Sequence, residues 1–269
     1  MHCAWCHNPE SRAFTPELII RSNRCILCEA CLEACPEGAI TRLGDVIVTD
    51  RQKCRLSGNC VLLCEAESRQ LVGREMSVEQ VLAEVEKDRP FYDQSGGGVT
   101  FSGGEPLAQQ AFLLELLAAC RARGIHTTVD TSGHADWRLV DRISPYVDLF
   151  LFDLKIMDDA RHKKHTGVSN RKILANLSRL SEAGQRLIVR MPVIPGINDD
   201  EAGLRQAGAF LSALPSRPPV ELLAYHQSGF AKYTGLGLEY GLADLRPPDA
   251  GRLETVAGIL REYGLQVTV

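Results

Sequence analysis

The sequence lacks the features that would tie it to a membrane, to export or to nucleic acid. No apolar run reaches the roughly 18 residues that a membrane-spanning helix needs, and the N-terminus shows no basic-then-apolar signal pattern. With 30 Lys and Arg against 34 Asp and Glu, the net charge of −4 gives no reason to expect nucleic acid or an anionic membrane as a partner. A cytoplasmic protein is the default expectation. No internal repeat and no low-complexity segment is apparent.

Cysteine, by contrast, is abundant. The chain has 10 cysteines, and all but Cys120 lie before residue 65. Such a density in a secreted protein would suggest disulfides, but tight, regular spacing in a reducing compartment favours metal ligation by thiolates. Cys120 lies in an apolar, helix-like run, and we interpret it as a small buried hydrophobe.

Helix-like and strand-like segments alternate from about residue 75 to the C-terminus. Ser77 and Gln80 form an S-x-x-Q capping box that predicts the start of the first helix. Five or six strand–helix units of this length predict a parallel sheet covered by helices, either a partial barrel or an open doubly wound sheet. In both, the loops at the C-terminal ends of the strands carry the chemistry. The basic run 162–165 is interpreted as a solvated helix face.

Two cysteine runs precede this region. The first has the spacing C-x2-C-x2-C-x3-C-P of bacterial ferredoxins and consists of Cys25, Cys28, Cys31 and Cys35. The second keeps the spacing but not every ligand, and consists of Cys54, Ser57, Cys60 and Cys64. A structural zinc site is the alternative, although zinc sites usually pair cysteines rather than group three.

In two-cluster ferredoxins the fourth cysteine of each run serves the other cluster. By that rule one cluster has the full set Cys25, Cys28, Cys31 and Cys64. The other has Cys35, Cys54 and Cys60, with Ser57 at the fourth position. Because a hydroxyl is a harder and far less acidic ligand than a thiol, we expect that cluster to be a three-iron form, labile, or ligated by another group.

The most diagnostic stretch is S-G-G-G-V-T-F-S-G-G-E-P at residues 95–106. Gly103 and Gly104 follow a predicted strand and let the backbone approach a ligand closely. A lone G-G-E-P could be a structural turn with proline at the start of a helix. Here it accompanies the head C-A-W-C-H-N-P-E, which contains Cys3 and Cys6.

Together these motifs resemble the radical S-adenosylmethionine (SAM) enzymes, and within them the glycyl-radical-enzyme activating family of the ferredoxin-insert type, which is related to pyruvate formate-lyase activating enzyme. The resemblance continues through V-D-T-S-G-H, D-L-K, I-V-R-M-P and L-L-A-Y-H. It implies SAM-binding residues Gly103, Gly104, Glu105, Asp130, Thr131, Asp153, Lys155, Arg190 and His226. Of these, it implies a catalytic role at the SAM and substrate-peptide site for Lys155, Arg190 and His226.

Each of these side chains also has a structural alternative. Asp153 and Lys155 could form a local ion pair, Arg190 could neutralise a buried acid, and His226 could be a core histidine. Their shared position at predicted strand ends, and the charged groups of SAM, favour binding over these alternatives.

The resemblance implies a partial (β/α)6-type TIM barrel with an inserted two-cluster ferredoxin-like domain. The expected domains are a cluster loop at 1–20, the insert at 21–70 and the barrel at 71–269. The implied cofactors are SAM, a [4Fe–4S] cluster at the SAM site that includes Cys3 and Cys6, and one or two [4Fe–4S] clusters in the insert. The implied reaction is reductive SAM cleavage to a 5′-deoxyadenosyl radical, which makes a glycyl radical on a partner enzyme in anaerobic metabolism. Flavodoxin or ferredoxin is the expected electron donor.

One departure from the family concerns the N-terminus. The family's C-x3-C-x2-C triplet and the first strand begin before the position of Met1, so only the last two cysteines of the triplet are present. We therefore expect an N-terminally truncated chain that lacks the first barrel strand and cleaves SAM poorly alone. The alternative is a degenerate homologue that acts at most in electron transfer or binding.

Overall fold

The computed structural model describes all 269 residues, and the chain forms two compact units. The sheet unit comprises Met1–Trp5, Met76–His226 and Asp244–Val269. The cysteine unit comprises Cys6–Glu75 and Gln227–Ala243. None of the helices combines the length and apolar composition that crossing a bilayer would require.

The secondary structure elements are numbered along the chain. The strands are β1 (Glu17–Ile20), β2 (Ile40–Leu43), β3 (Val46–Thr49), β4 (Arg69–Val72), β5 (Gly98–Phe101), β6 (His126–Thr131), β7 (Leu149–Asp153), β8 (Leu187–Val193), β9 (Val220–Ala224) and β10 (Val267–Thr268). The α-helices are α1 (Ala30–Glu33), α2 (Asn59–Leu62), α3 (Val78–Lys87), α4 (Arg89–Ser95), α5 (Gln110–Ala122), α6 (Trp137–Ile143), α7 (Asp159–Thr166), α8 (Arg171–Glu182), α9 (Glu201–Ser212), α10 (Phe230–Leu236) and α11 (Ala250–Arg261).

The sheet unit is built on one parallel sheet whose strand order is β5-β6-β7-β8-β9-β10. Each strand pairs with the next strand along the chain. A doubly wound sheet reverses its strand order at a switch point, and this sheet does not. The doubly wound alternative is therefore wrong, while the predicted parallel α/β sheet is confirmed.

Local signals position the helices of the sheet unit. The predicted capping box is formed: the Ser77 hydroxyl accepts from the backbone N–H of Gln80, and the Gln80 side chain accepts from the N–H of Ser77. Aspartates cap three later helices at Asp158, Asp200 and Asp249. Cys120, on α5, is fully buried in the hydrophobic core, as predicted.

The basic run 162–165 differs in part from the expectation. Lys163 and Lys164 are exposed, but His162 is buried, with its ring Nδ1 2.7 Å from the carbonyl oxygen of Val168 and 3.0 Å from the hydroxyl of Thr166. The interpretation of the whole run as a solvated face is therefore wrong for His162. Its ring instead closes the turn that follows α7.

The cysteine unit contains an internal repeat, so the expectation of none was wrong. Its elements recur 29 positions later: β1 at 17 and β3 at 46, α1 at 30 and α2 at 59, β2 at 40 and β4 at 69. The pairing follows the same symmetry, since β1 pairs antiparallel with β4 and β2 pairs antiparallel with β3. Leu27 and Leu56, also 29 positions apart, both adopt left-handed backbone conformations, with φ of 57° and 56°.

Substitution of two glycines, Gly98 and Gly258, tests the packing of the sheet unit. A Cβ on Gly98, the first residue of β5, would lie 1.9 Å from the carbonyl oxygen of His126 on the neighbouring strand. We expect Gly98→Ala to destabilise the fold by about 2–4 kcal/mol, because backbone cannot move aside as a side chain can. At Gly258, within α11, a Cβ would meet no atom within 4 Å, so Gly258→Ala should be neutral or stabilise by up to about 1 kcal/mol. Urea unfolding monitored by circular dichroism measures both, and equal effects would contradict the packing argument.

Candidate active site

Glu105 joins the G-G-E-P loop to the end of β6. Its Oε1 accepts from the hydroxyl of Thr131 at 2.5 Å, and its Oε2 accepts from the hydroxyl and the backbone N–H of Ser132 at 2.5 and 3.0 Å. Oε1 also accepts from the backbone N–H of Leu107 at 3.3 Å. Both carboxylate oxygens are therefore engaged within the protein, and the loop is held against the strand end.

The exposed backbone of this loop lies just before Glu105. Gly103 and Gly104 are both exposed, and Gly103 has a φ of 123°, which disfavours any other residue. A Cβ on Gly103 would meet no atom within 4 Å, so the space beside it is open. The loop thus presents bare main chain at the C-terminal end of β5.

A chain of ion pairs runs from the C-terminal ends of β6 and β7 to the middle of β8, so the expected strand-end position does not hold for Arg190. Arg190 donates to Asp130 at 2.8 Å and to Asp153 at 3.4 Å, and it lies opposite Asp153 in the register of β7 and β8. The Lys155 ammonium donates to the other oxygen of Asp153 at 2.7 Å. Ser102 completes the row by donating to Asp130 at 2.8 Å. The four charged side chains are between 11% and 21% exposed, so the row is largely buried.

Burial and neighbouring charges shift the pKa values of Asp130 and Lys155 in this row. The pKa of Asp130 is raised, first by burial and then by the Asp153 carboxylate, and the donors Ser102, Arg190 and Lys155 only partly offset this. Burial would lower the pKa of Lys155, but the charges of Asp153, Cys3 and Glu105 outweigh it, so that the pKa is raised and the ammonium keeps its proton. The site is therefore a balanced set of charges that a ligand with an ammonium and a carboxylate could enter.

The segment that carries Cys3 is fixed on the C-terminal end of α7. The N–H of His2 donates to the carbonyl of Thr166 and the N–H of Ala4 donates to the carbonyl of His165, both at 2.9 Å. Trp5 is buried, and its ring lies 6.4 Å from that of His165 between centroids. Cys3 is thus held between two backbone hydrogen bonds that cap orphan helix carbonyls.

Cys6 opens the cysteine unit. Gly229 packs against its loop so closely that a Cβ would lie 3.0 Å from the Cα of His7 and 3.2 Å from the carbonyl oxygen of Cys6. Lys232 holds the next residues, with its ammonium 2.6 Å from Oδ1 of Asn8 and 2.5 Å from Oε1 of Glu10. The loop shape therefore depends on α10, which sequence analysis did not predict.

The remaining seven cysteines belong to the cysteine unit and are free thiols: Cys25, Cys28, Cys31, Cys35, Cys54, Cys60 and Cys64. No three Cys, His, Asp or Glu side chains are gathered about a single point as ligands of one ion would be. Cys35, Cys54, Ser57 and Cys60 instead line one cavity. These four residues are the set that the crossover rule assigns to the second cluster.

A buried arginine on β4 lies beside one cysteine of each run, Cys31 and Cys60. Arg69 is 3% exposed, donates to the Thr49 hydroxyl at 2.9 Å, and has a guanidinium nitrogen 4.0 Å from Sγ of Cys60. Burial raises the pKa of the Cys31 thiol, and the charge of Arg69 opposes that shift. No sequence pattern indicated this residue, because its counterpart 29 positions earlier is the apolar Ile40.

Of the sequence-predicted site residues, the structure brings Asp130, Asp153, Lys155 and Arg190 together and ties Glu105 to Thr131. The structural alternatives for Asp153, Lys155 and Arg190 are also present, since all three form ion pairs within the chain. His226 is exposed two residues beyond β9, so the core-histidine alternative is wrong. Ser102 and Ser132 were not predicted, although each adjoins a predicted motif.

The comparisons with known proteins agree with this geometry. The model of the radical SAM superfamily matches residues 1–205. The chain is 40% identical to the trans-4-hydroxy-L-proline dehydratase activating enzyme of Clostridioides difficile, over 95% of this chain and 85% of the relative. It is 42% identical to the isethionate sulfite-lyase activating enzyme of Nitratidesulfovibrio vulgaris, over 95% and 86%. The chain belongs to the radical SAM superfamily, among its glycyl-radical-enzyme activating enzymes.

A solved structure supports the assignment of this radical SAM chain. A domain of pyruvate-formate lyase-activating enzyme from Bacteroides vulgatus is 36% identical, with a TM-score of 0.55, and the match covers 64% of this chain and 98% of that one. A radical SAM methyltransferase from Sphaerobacter thermophilus, at 21% identity and a TM-score of 0.56, shares the fold. The predicted family is therefore confirmed, and with it the radical SAM α/β fold.

The ion-pair row predicts a pH-dependent loss of stability on removal of Arg190. Arg190→Met leaves two carboxylates facing each other, and we expect a loss of about 2–4 kcal/mol at pH 8. Because the pKa of Asp130 is already raised in the folded protein, its ionisation costs stability as the pH rises through that pKa. The loss should therefore be smaller at pH 5 than at pH 8 in urea unfolding. Arg190→Lys, which keeps the charge, is the control, and an equal loss at both pH values would contradict the argument.

Proposed function

We propose that this chain activates a partner glycyl radical enzyme by holding SAM at the C-terminal ends of β5–β8, beside an iron–sulfur cluster bound partly by Cys3 and Cys6. One observation carries the proposal: the bare G-G-E-P backbone and the charged row from Ser102 to Lys155 occupy the same edge of one parallel sheet. When bound, the reduced cluster and SAM supply the one-electron cleavage and the hydrogen abstraction from a glycine of the partner.

The residues present fit SAM. Its ammonium can donate to carbonyls of the exposed Gly103–Gly104 backbone, and its carboxylate can accept from a cation of the row. Glu105 acts as a positioning residue, because its oxygens are already engaged by Thr131 and Ser132. Lys155 and Arg190 contact SAM or the substrate peptide, and they carry charge-assisted bonds that no neutral residue could replace. His226, exposed beyond β9, faces the peptide.

The fold is proposed to be a partial (β/α)6-type barrel, which the sequential strand order of the parallel sheet supports. The segment 21–70 is proposed to be a ferredoxin-like insert, between a cluster loop at 1–20 and the barrel at 71–269. Its 29-residue repeat and two cysteine sets support two clusters there, which relay electrons from a flavodoxin or ferredoxin. The partner is a glycyl radical enzyme, as the named relatives activate a dehydratase and a sulfite-lyase.

Anaerobic reconstitution with iron and sulfide tests this function. With dithionite, we expect slow release of 5′-deoxyadenosine and methionine that depends on Cys3 and Cys6, and a weak glycyl radical EPR signal on the glycyl radical enzyme of the same gene neighbourhood. Cys3→Ser and Cys6→Ser should abolish cleavage, and Cys120→Ala should not. Release that is unaffected by the Cys3 and Cys6 variants would overturn the proposal.

SAM binding to the same protein gives a second readout. Lys155→Met should weaken SAM affinity about tenfold, the effect of losing one charge-assisted hydrogen bond. Lys172→Met is the matched control, because Lys172 is exposed and pairs with Asp136 away from the row. Isothermal titration calorimetry measures both, and equal affinities would show that Lys155 does not contact SAM.

Arg69 predicts the electronic properties of the insert. A buried cation beside cluster ligands stabilises the more negative, reduced form, so we expect Arg69→Met to lower the reduction potential of the insert clusters. Arg69→Lys keeps the charge and should preserve most of the potential. EPR-monitored potentiometry in a Cys3→Ser, Cys6→Ser background isolates these clusters. Potentials that are equal in all three proteins would contradict the role of the charge.

A further inference from the structure

The 29-residue repeat makes Ser57 the structural counterpart of Cys28. Each follows a leucine in a left-handed conformation, Leu27 or Leu56, and each precedes the N-terminal residue of a four-residue helix by two positions. Both Cys28 and Ser57 are exposed. The serine is therefore not displaced from the ligand position of the second run; it occupies that position with an oxygen in place of a sulfur.

Ser57 forms part of the wall of the cavity that is lined by the residues assigned to the second cluster. All four residues of the second set line it: Cys35, Cys54, Ser57 and Cys60. Much of the remaining wall is apolar, formed by Leu18, Ile40, Val61 and Leu71. A wall that carries three thiols and one exposed hydroxyl among apolar, polar and charged side chains matches a cubane held at three corners and open to solvent at the fourth.

We infer that the second insert cluster is site-differentiated: Cys35, Cys54 and Cys60 bind three irons, and the iron at Ser57 has no thiolate and exchanges with solvent iron. The inference rests on the proposed insert clusters. The serine hydroxyl is a weak ligand beside a thiolate because it holds its proton at neutral pH. Since Ser57 is exposed, water or hydroxide reaches the same iron.

The consequence is a cluster that loses one iron on mild oxidation. A [4Fe–4S]²⁺ cluster that gives one electron to ferricyanide releases Fe²⁺ and becomes [3Fe–4S]⁺, while its four sulfides and three cysteine ligands remain. Reduction in the presence of Fe²⁺ reverses the step. A four-thiolate cluster holds its fourth iron and resists this loss.

The test uses the full chain in a Cys3→Ser, Cys6→Ser background, so that the cluster at the SAM site does not contribute. After anaerobic reconstitution, one equivalent of ferricyanide should give about one three-iron EPR signal per chain. Reduction with ⁵⁷Fe²⁺ should then place the label at one iron site, seen by Mössbauer spectroscopy. Ser57→Cys should abolish both signals. Cys28→Ser makes the equivalent change in the first cluster, and it should double the three-iron signal when a second equivalent of ferricyanide is added.

The outcomes separate the inference from the function on which it rests. A protein that binds no iron in the insert would overturn the insert clusters themselves. Two clusters that both resist ferricyanide, with Ser57→Cys unchanged from the parent, would overturn the inference alone. Glu37 is the acidic residue on the cavity wall. If Glu37→Gln were needed to create the three-iron form, a carboxylate would complete the fourth corner and the inference would fail.

Discussion

Arg190 between Asp130 and Asp153 is the interaction on which the arrangement of the candidate site depends. Three consecutive strands each bring one of these groups to the same sheet edge, and the two carboxylates could not lie so close without a cation between them. Lys155 and Ser102 extend the row at its two ends. The row thereby fixes the relative position of the loops that follow β5 and β7.

The G-G-E-P loop is held at the same end of the sheet by a different contact, the hydrogen bonds of Glu105. Glu105 is not part of the row, and its two oxygens hold the loop to Thr131 and Ser132. A carboxylate with several donors from one neighbouring strand end is a rigid anchor. The Glu105 carboxylate therefore holds the loop in place, while Asp130, Asp153 and Arg190 provide the charged groups beside it.

The parallel sheet of the sheet unit, the family and the charged site residues were predictable from the sequence, because motifs and periodicity are local; the four strands of the cysteine unit were not predicted. The repeat of the cysteine unit was not predicted, because its two halves have few identical residues besides cysteines and the pair Leu27 and Leu56. The strands of each half also pair with strands of the other half, which the sequence alone does not show. Arg69 was missed for the same reason, because a buried charge becomes visible only when both runs meet. His162 was misplaced because a charge run gives no information on which side of α7 faces the core.

The core of the cysteine unit includes several of its cysteines. Its central apolar cluster is Leu18, Cys31, Ile40 and Cys60, packed against Cys35 and Cys54, and its α1 and α2 helices are four residues long. Isolated helices of that length do not persist, and the left-handed Leu27 and Leu56 add strain of about 1 kcal/mol each. Ligation of these thiols, as proposed above, would therefore contribute free energy to the folding of this unit. With the proposed clusters, iron supply would govern how much of the cysteine unit is folded, as well as how much of the protein can react.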